Sequence, residues 1–168
     1  MPLAYRAVNA PHLIRPVGSA DDAALAQLIG DVMAEYAAGG DAAREDAEVA
    51  LMSQSYAGPR SVYFVVEDAG EVVGGAGIAP LAGAAFEVCE LRKMYVLPAA
   101  RGRGFGELLL RRCLRVARGF GYQICYLETL ATMAAARHLY ERAGFRPLAQ
   151  RVGASGNRRC DRWFALEL

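Results

Sequence analysis

The sequence lacks any long hydrophobic run, because no stretch approaches the roughly 18 uninterrupted apolar residues that a membrane-spanning helix requires. The N-terminal stretch MPLAYRAVNAPHLIRP also lacks a continuous apolar segment of the length found in secretory signals. Both absences argue against an integral membrane protein and against export. We therefore expect a cytoplasmic protein that does not associate with membranes.

A strong charge of either sign is also missing. Lys and Arg number 19 and Asp and Glu number 18, which gives a formal net charge of +1. Such a balance provides no bulk attraction to nucleic acid or anionic lipid, so any positive field must be local. We expect no nucleic-acid partner.

The cysteines form no recognisable metal-binding pattern. The four of them include no CxxC pair, and neither of the two histidines stands at ligand spacing from them. Structural zinc sites usually need such spacing, so we expect no bound metal. We expect buried, reduced thiols at Cys89, Cys113, Cys125 and Cys160.

The length and composition are those of an ordinary globular domain. The chain has 168 residues, of which 54% are hydrophobic and 22% charged, and this suffices for one domain over residues 1–168. Periodicity and turn residues predict a mixed α/β domain with the order β-α-α-β-β-β-α-β-α-β-β. The predicted strands cover 12–16, 62–66, 71–78, 86–96, 124–128 and the regions near 145–149 and 163–168, and the predicted helices cover 19–36, 41 to about 58, 104–118 and about 132–143.

Two local features refine this prediction. Ser19 is the expected N-cap of the first helix, because Asp21 and Asp22 follow it and the apolar positions then recur at helical spacing. Gly39-Gly40 is expected to end that helix. The three short strands after residue 60 follow one another closely, so we expect them to form an antiparallel meander.

The most informative segment is the glycine turn RGRGFG, from Arg101 to Gly106. A P-loop is excluded because Gly106 is followed by glutamate and leucine, where that motif needs lysine and a hydroxyl. A dinucleotide-binding turn fits poorly, since Glu107 occupies the place of a third glycine. Glu128 nevertheless lies at a suitable distance downstream for ribose binding, so a hydride-transfer enzyme stays an alternative.

A third interpretation depends on the backbone of the turn. Glycines at 102, 104 and 106 remove side chains, so that N–H groups at a helix N-terminus can point at an anion such as a pyrophosphate. Arg101 and Arg103 add charge-assisted donors. A glycine-rich helix start that serves packing alone is the structural alternative.

The stretch YVLPAARGRGFGELLL resembles the acetyl-CoA-binding motif of the GCN5-related N-acetyltransferases, with Arg101, Gly104 and Gly106 in the characteristic places. LYERAGF, from Leu139 to Phe145, is similar to a later motif of that superfamily. The resemblance implies a GNAT-like fold with a mixed, mostly antiparallel central sheet flanked by helices, and a single N-acetyltransferase domain. It also implies acetyl-CoA as co-substrate and a homodimer.

The same resemblance implies a cofactor site. In the family a bulged strand before the glycine turn binds the pantetheine arm, and an N–H of that strand, here the Met94 amide, polarises the thioester carbonyl. Met133 stands where many members have an asparagine that contacts the arm, so one hydrogen bond is in doubt. The implied cofactor residues are Met94, Tyr95, Val96, Arg101, Gly102, Arg103, Gly104, Phe105 and Gly106.

Two further residues have catalytic counterparts in the family. Glu90 lies where some members place the general base, although it could instead pair with Arg92 or Lys93 across the strand. Tyr140 matches the tyrosine that often serves as the acid for the departing thiolate, and its structural alternative is a core tyrosine of an amphipathic helix.

The acceptor is the least determined part. Arg92 should share a strand face with Glu90 and could bind a carboxylate on the substrate, or it could simply pair with Glu90. The loop from Gly153 to Trp163, which includes Asp161, precedes the last strand and could contribute to specificity.

We expect transfer to an amine of a small molecule or peptide by direct attack in a ternary complex, because no cysteine stands in a nucleophile motif. A route through Cys125 and a non-catalytic acyl-CoA-binding sensor are the alternatives.

Overall fold

The computed structural model describes residues 12–36 and 47–168. These residues form one seven-stranded sheet with helices on both of its faces. The elements are β1 (Leu13–Pro16), α1 (Asp22–Tyr36), α2 (Ala47–Ala50), α3 (Met52–Ser55), β2 (Val62–Asp68), β3 (Glu71–Pro80), β4 (Val88–Val96), α4 (Phe105–Gly119), β5 (Ile124–Thr129), α5 (Ala134–Arg142), β6 (Arg146–Leu148) and β7 (Arg162–Glu167).

The spatial order of the strands is β1-β2-β3-β4-β5-β7-β6. Strands β2, β3 and β4 form the predicted antiparallel meander, and β1 pairs antiparallel with β2 at its edge. Strands β4 and β5 are parallel, and β7 lies antiparallel between β5 and β6. Because α4 connects the two parallel strands, it covers the sheet beside them. The mixed, mostly antiparallel sheet and the predicted order of elements are thus confirmed.

Two hydrophobic cores lie on opposite faces of the sheet, and β2 contributes to both. Phe64 and Val66 face the core beneath α4 and α5, whereas Tyr63 and Val65 face the core beneath α1, α2 and α3. All four side chains are buried. This strand is an apolar run rather than an alternating one because both of its faces are covered.

The start of α1 differs from the prediction. Gly18, not Ser19, precedes the first helical turn, and its amide donates to Asp21 Oδ2 at 2.8 Å. Asp21 is buried and also accepts from Arg15 at 2.7 and 2.9 Å. Asp21, three residues after this N-cap, therefore binds the N-cap amide, as the N3 residue of a capping box does.

The second predicted helix is also different. It is interrupted at Leu51, whose φ of −139° and ψ of 60° leave the helical region, so two single turns replace one helix. Asp22 of α1 fixes the position of α3, because its carboxylate accepts hydrogen bonds from the Ser53 amide at 2.8 Å and from the Ser53 hydroxyl at 2.7 Å. Gly39-Gly40 and Asp41, expected to end one helix and begin the next, lie outside the described residues.

One irregularity in the sheet creates the space for a site. Gly75 pairs with Tyr95 but Gly77 pairs with Arg92, so β4 carries one extra residue there. Lys93 lies in this bulge with a left-handed φ of 51°. Pairing between β4 and β5 stops at Leu91. Beyond that point the two parallel strands separate.

The cysteines largely follow the expectation. Cys89, Cys113 and Cys125 are buried, but Cys160 is partly exposed because it lies in the loop before β7 rather than on the sheet. In the described part of the chain no helix is long and apolar enough to cross a membrane. Among those same residues no group of three or more His, Cys, Asp or Glu side chains could hold a metal ion.

Candidate active site

A cavity of about 510 Å³ lies where β4 and β5 separate. Its wall is built by β4, β5, α5, the first helices and the loop that precedes β7. The cavity brings together five of the predicted site residues, namely Glu90, Arg92, Met94, Tyr95 and Tyr140. It also includes Glu128 and Cys160, for which the sequence had suggested no place in such a cavity.

Glu90 is the buried carboxylate of this cavity, with only 6% of its surface exposed. Burial raises its pKa to about 7, and the nearby Glu128 and Glu48 act in the same direction, while Arg92 opposes them. The Arg92 Nε lies 3.6 Å from Glu90 Oε2, beyond ordinary hydrogen-bond distance. Desolvation therefore outweighs the ion pair, and the carboxyl can exchange a proton near neutral pH.

Arg92 does face the cavity, but it is already engaged with carboxylates. Its Nη2 donates a short hydrogen bond to Glu48 Oε2, and its Nε approaches Glu90. The ion pair with Glu90 that the sequence left as an alternative is thus present in loose form. A substrate carboxylate would have to compete with Glu48 for this guanidinium.

Tyr140 lies on α5 with its ring packed against Phe145 and Phe164, at centroid distances of 5.9 and 6.5 Å. Burial raises the pKa of its hydroxyl, so the group keeps its proton and acts as a donor. No described residue forms a hydrogen bond with that hydroxyl, although the tyrosine lines the cavity. It is a core tyrosine whose polar tip is available to a ligand.

Glu128 is the residue that sequence reasoning placed in the wrong context, as a ribose ligand. Its Oε1 accepts from the hydroxyls of Tyr126 and Ser155, each at 2.8 Å, and lies 3.2 Å from Arg151 Nε. Its Oε2 is buried without a partner among the described residues. The sequence contains a signal for a functional carboxylate here, because Glu128 is the one charged residue of the otherwise apolar predicted strand ICYLE.

The backbone of β4 also faces the cavity. The Leu97 amide donates to the Val73 carbonyl of β3 at 2.9 Å. Because amides alternate in direction along a strand, those of Met94 and Val96 point the other way, into the gap. The Val96 carbonyl agrees with this, since it accepts from Arg101 Nε at 3.0 Å rather than from β3.

The glycine turn is open for a ligand. Gly102 and Gly104 have φ values of 73° and 85°, which side-chain-bearing residues rarely adopt, and α4 begins immediately afterwards. The Arg101 amide donates to Pro98 and the Leu108 amide to Gly104. Between them, the amides of residues 102–107 find no acceptor among the described residues. These are the donors that an anion at a helix N-terminus uses.

The charged side chains of the turn already have partners. Arg101 binds Glu35 of α1 at 2.8 and 2.9 Å, and Arg103 binds Asp68 at 2.6 and 3.2 Å. Both therefore connect the turn to neighbouring elements, and any role toward a ligand would be shared with these carboxylates.

Three further residues lie on or next to the cavity wall. Asp161 is exposed, accepts from the Ala131 amide at 2.8 Å and is not part of the cavity wall. Met133 does line the cavity, and its sulfur accepts from the Thr129 hydroxyl at 3.7 Å. A thioether thus occupies the wall where the resemblance led us to look for an amide. Cys160, the remaining position, receives a bond from Asn157 Nδ2 at 3.0 Å.

Comparison with known sequences identifies relatives over most of the chain. Residues 29–145 match the profile of the Acetyltransferase (GNAT) family. The uncharacterized N-acetyltransferase YjgM of Escherichia coli is 43% identical over 143 residues, which cover 84% of this chain and 86% of that protein. The N-alpha-acetyltransferase RimI of Mycobacterium tuberculosis is 38% identical over 104 residues, 62% of this chain and 61% of its own length.

Comparison with solved structures gives the same fold. A GNAT-family acetyltransferase of Staphylococcus aureus superposes with a TM-score of 0.82 at 16% identity, covering 94% of this chain and 99% of that one. The yncA protein of Salmonella typhimurium, solved with its cofactor acetyl-CoA, superposes with a TM-score of 0.72 at 26% identity and 94% coverage of both chains.

Proposed function

Since this chain belongs to the GNAT family of acetyltransferases, we propose that it transfers the acetyl group of acetyl-CoA directly to an amine of a small molecule or peptide, within the cavity between β4 and β5. One observation carries the proposal: a carboxyl of near-neutral pKa, a protonated tyrosine and outward-facing strand amides all border the same space. The family assignment also replaces the hydride-transfer alternative.

Binding of the diphosphate of coenzyme A is assigned to the amides of residues 102–107. They have no acceptor among the described residues and lie at the N-terminus of α4, where the helix dipole contributes about 0.3 to 1 kcal/mol per anion. Binding of the extended arm is assigned to the Met94 and Val96 amides, because both point into the gap between β4 and β5. The Met94 amide is also assigned the stabilisation of negative charge that develops on the thioester oxygen.

Proton removal from the acceptor is assigned to Glu90. An amine of pKa about 10.4 is almost entirely protonated at pH 7, which adds roughly 4 to 5 kcal/mol to the barrier if nothing removes the proton. A carboxylate with pKa about 7 is a stronger base than an ordinary one, and about half of it is ionised near pH 7. The unpaired Oε2 of Glu128 supports a cationic acceptor, because it can accept an ammonium N–H.

Stabilisation of the departing thiolate is assigned to Tyr140, whose neutral hydroxyl donates a hydrogen bond to sulfur as the carbon–sulfur bond breaks.

Direct attack is supported by the position of Cys125. That thiol is buried on β5, its pKa is raised well above the ordinary value by hydrogen bonding to Cys89 and by burial, and it is not part of the cavity wall. A buried neutral thiol is a poor nucleophile.

The test is a screen of amino acids, polyamines, aminoglycosides and peptides for thiol release from acetyl-CoA, with Glu90→Gln and Tyr140→Phe as comparison variants. We expect at least one amine to give turnover that both variants lower while acetyl-CoA affinity stays nearly constant. Tight cofactor binding without turnover on any amine would instead favour the sensor alternative.

A further inference from the structure

Arg92 stands between two carboxylates but is bound unequally to them. Its Nη2 donates a short hydrogen bond to Glu48 Oε2, whereas its Nε stays 3.6 Å from Glu90 Oε2. Glu90 and Arg92 are two residues apart on β4, so their side chains lie on the same face of the strand. The guanidinium is therefore held on the Glu48 side.

Glu48 itself is fixed from behind. The hydroxyl of buried Tyr56, just after α3, donates to Glu48 Oε1 at 2.5 Å. The Tyr56 ring packs against Tyr63 with centroids 5.2 Å apart, and the Tyr63 hydroxyl donates to the Lys93 carbonyl in the β4 bulge at 2.7 Å. A buried series of contacts thus connects α3 and β2 to the carboxylate that holds Arg92.

We propose that Glu48 is a positioning residue, which keeps the Arg92 guanidinium from pairing closely with Glu90 and so leaves Glu90 free to accept a proton. The proposal rests on the proposed function, because it concerns the group assigned there as the base. Without the Glu48 charge, Arg92 would lose one of its carboxylate partners, and its guanidinium would move closer to Glu90 and stabilise the ionised form of that carboxyl. Glu90 would then be a weaker base.

The other groups near Glu90 do not replace this role. Glu128 faces it from β5 and opposes ionisation, while Lys93 from the bulge favours it less than Arg92 does. Among the residues that the structure describes, Arg92 and Lys93 are the cations that favour the ionised form of Glu90, and Arg92 has the larger effect. The titratable or charged groups around Glu90 are Glu48 from α2, Arg92 and Lys93 from β4, Tyr126 and Glu128 from β5, and Cys160 from the last loop.

The experiment is a carbon-13 NMR titration of the glutamate carboxyls in the intact protein, with the Glu90 signal assigned by its loss in Glu90→Gln. This readout needs no acceptor. We expect Glu48→Gln, which keeps an acceptor for Tyr56, to lower the Glu90 midpoint by about one pH unit. Glu71→Gln, an equal charge change at an exposed position in the β2–β3 hairpin, should leave it in place.

A double-mutant cycle isolates the path through Arg92. In an Arg92→Met background, Glu48→Gln should move the Glu90 midpoint by less than half as much. An equal shift in both backgrounds, or no shift in either, would overturn the proposal. Should Glu48→Gln fail to fold, Glu48→Asp provides the same comparison, because its shorter side chain keeps the charge but withdraws from Arg92.

Failure of the proposed function has a different signature. If Glu90→Gln retained the acid limb of the wild-type kcat/KM profile on an accepted amine, Glu90 would not be the base. The NMR midpoints would still decide whether Glu48 controls the pairing of Arg92.

Discussion

Two opposing effects meet at Glu90, and burial is the larger. An isolated buried carboxylate is costly in free energy, and Arg92 at 3.6 Å compensates for only part of that cost. The buried Glu90 carboxylate therefore lowers the stability of the fold, while its raised pKa suits proton transfer near neutral pH. Such perturbed groups gather at functional sites because catalysis near neutral pH needs them.

The stability of the protein should record this cost. Because the folded pKa of Glu90 rises from 4.5 to about 7, the folded state binds the proton more tightly, and stability falls as pH rises through this interval. The loss is roughly 3 kcal/mol. In urea unfolding, the free energy of unfolding of Glu90→Gln relative to that of the wild type should increase by about this amount between pH 5 and pH 8. An equal difference at both pH values would contradict the raised pKa of Glu90.

Catalysis should depend on the same titration in the opposite sense. Only the ionised carboxyl accepts a proton, so kcat/KM on an accepted amine should fall tenfold per pH unit below about pH 7 in the wild type. Glu90→Gln should lose this limb and about 10²–10⁴-fold in rate. The pH profile of thiol release measures both, and Glu71→Gln serves as the control for altered net charge.

Tyr140 separates packing from chemistry. Removing its hydroxyl leaves the ring contacts with Phe145 and Phe164 in place, so Tyr140→Phe should keep the melting temperature within a few degrees. Turnover should fall about 10²-fold because the thiolate loses its donor. Full activity in the phenylalanine variant would remove Tyr140 from the proposed mechanism, whereas a large loss of stability would make the residue structural.

At the scale of elements, the glycine turn and the separation of β4 from β5 depend on different physical features. The turn needs two backbone conformations in the left-handed region, supplied by Gly102 and Gly104. The separation needs a bulge at Lys93, where a non-glycine residue is held left-handed by the surrounding sheet. In the proposed function, the turn binds the diphosphate of the cofactor and the separated strands admit its thioester end.

The turn can be tested with two glycine-to-alanine changes around α4. Gly104→Ala forces a Cβ onto a φ of 85° and should destabilise the protein by about 1–2 kcal/mol and weaken acetyl-CoA binding. Gly119→Ala, at the far end of the same helix, has no left-handed φ and no neighbour within 4 Å, so it should be neutral or slightly stabilising. Thermal shift with and without acetyl-CoA measures both, and equal responses would exclude the turn as the binding element.

At the scale of the whole molecule, the thiols report which parts of the fold open. Cys89 and Cys125 are paired neighbours on β4 and β5, and Cys113 faces them from α4, all fully buried. Cys160 is the partly exposed thiol at the cavity wall, and burial raises its pKa to about 12.

A thiol-reactive chromophore should therefore label the native protein slowly at Cys160 alone, and all four cysteines in urea. Acetyl-CoA should slow the native reaction, since Cys160 borders the space assigned to the ligand. Cys160→Ser is the matched control and should abolish native labelling. Rapid labelling of more than one thiol without denaturant would show that the sheet opens locally.

Much of the architecture followed from local pattern. The order of strands and helices, the meander and the turn before α4 all come from periodicity and turn residues, which act over a few neighbours. Two local predictions failed because pattern alone does not resolve close alternatives. Gly18 rather than Ser19 is the N-cap, and its amide donates to Asp21. Leu51 interrupts a helix whose composition favoured continuity. Five of the predicted site residues line the cavity, because the family motifs and the alternation of β4 side chains pointed to them, and their roles stay predictions.

The amino-acid order alone was sufficient for the fold class and for the turn, because both depend on residues close together in the chain. The chemical state of the site needed distant partners. Glu48 lies 44 positions from Arg92, and Glu128 comes beside Glu90 only through the parallel pairing of β4 with β5. Burial and the proximity of charges depend on many such long-range contacts. The near-neutral pKa of Glu90, the pairing of Arg92 with Glu48 and the Glu128 oxygen that lacks a partner among the described residues therefore depend on the assembled sheet.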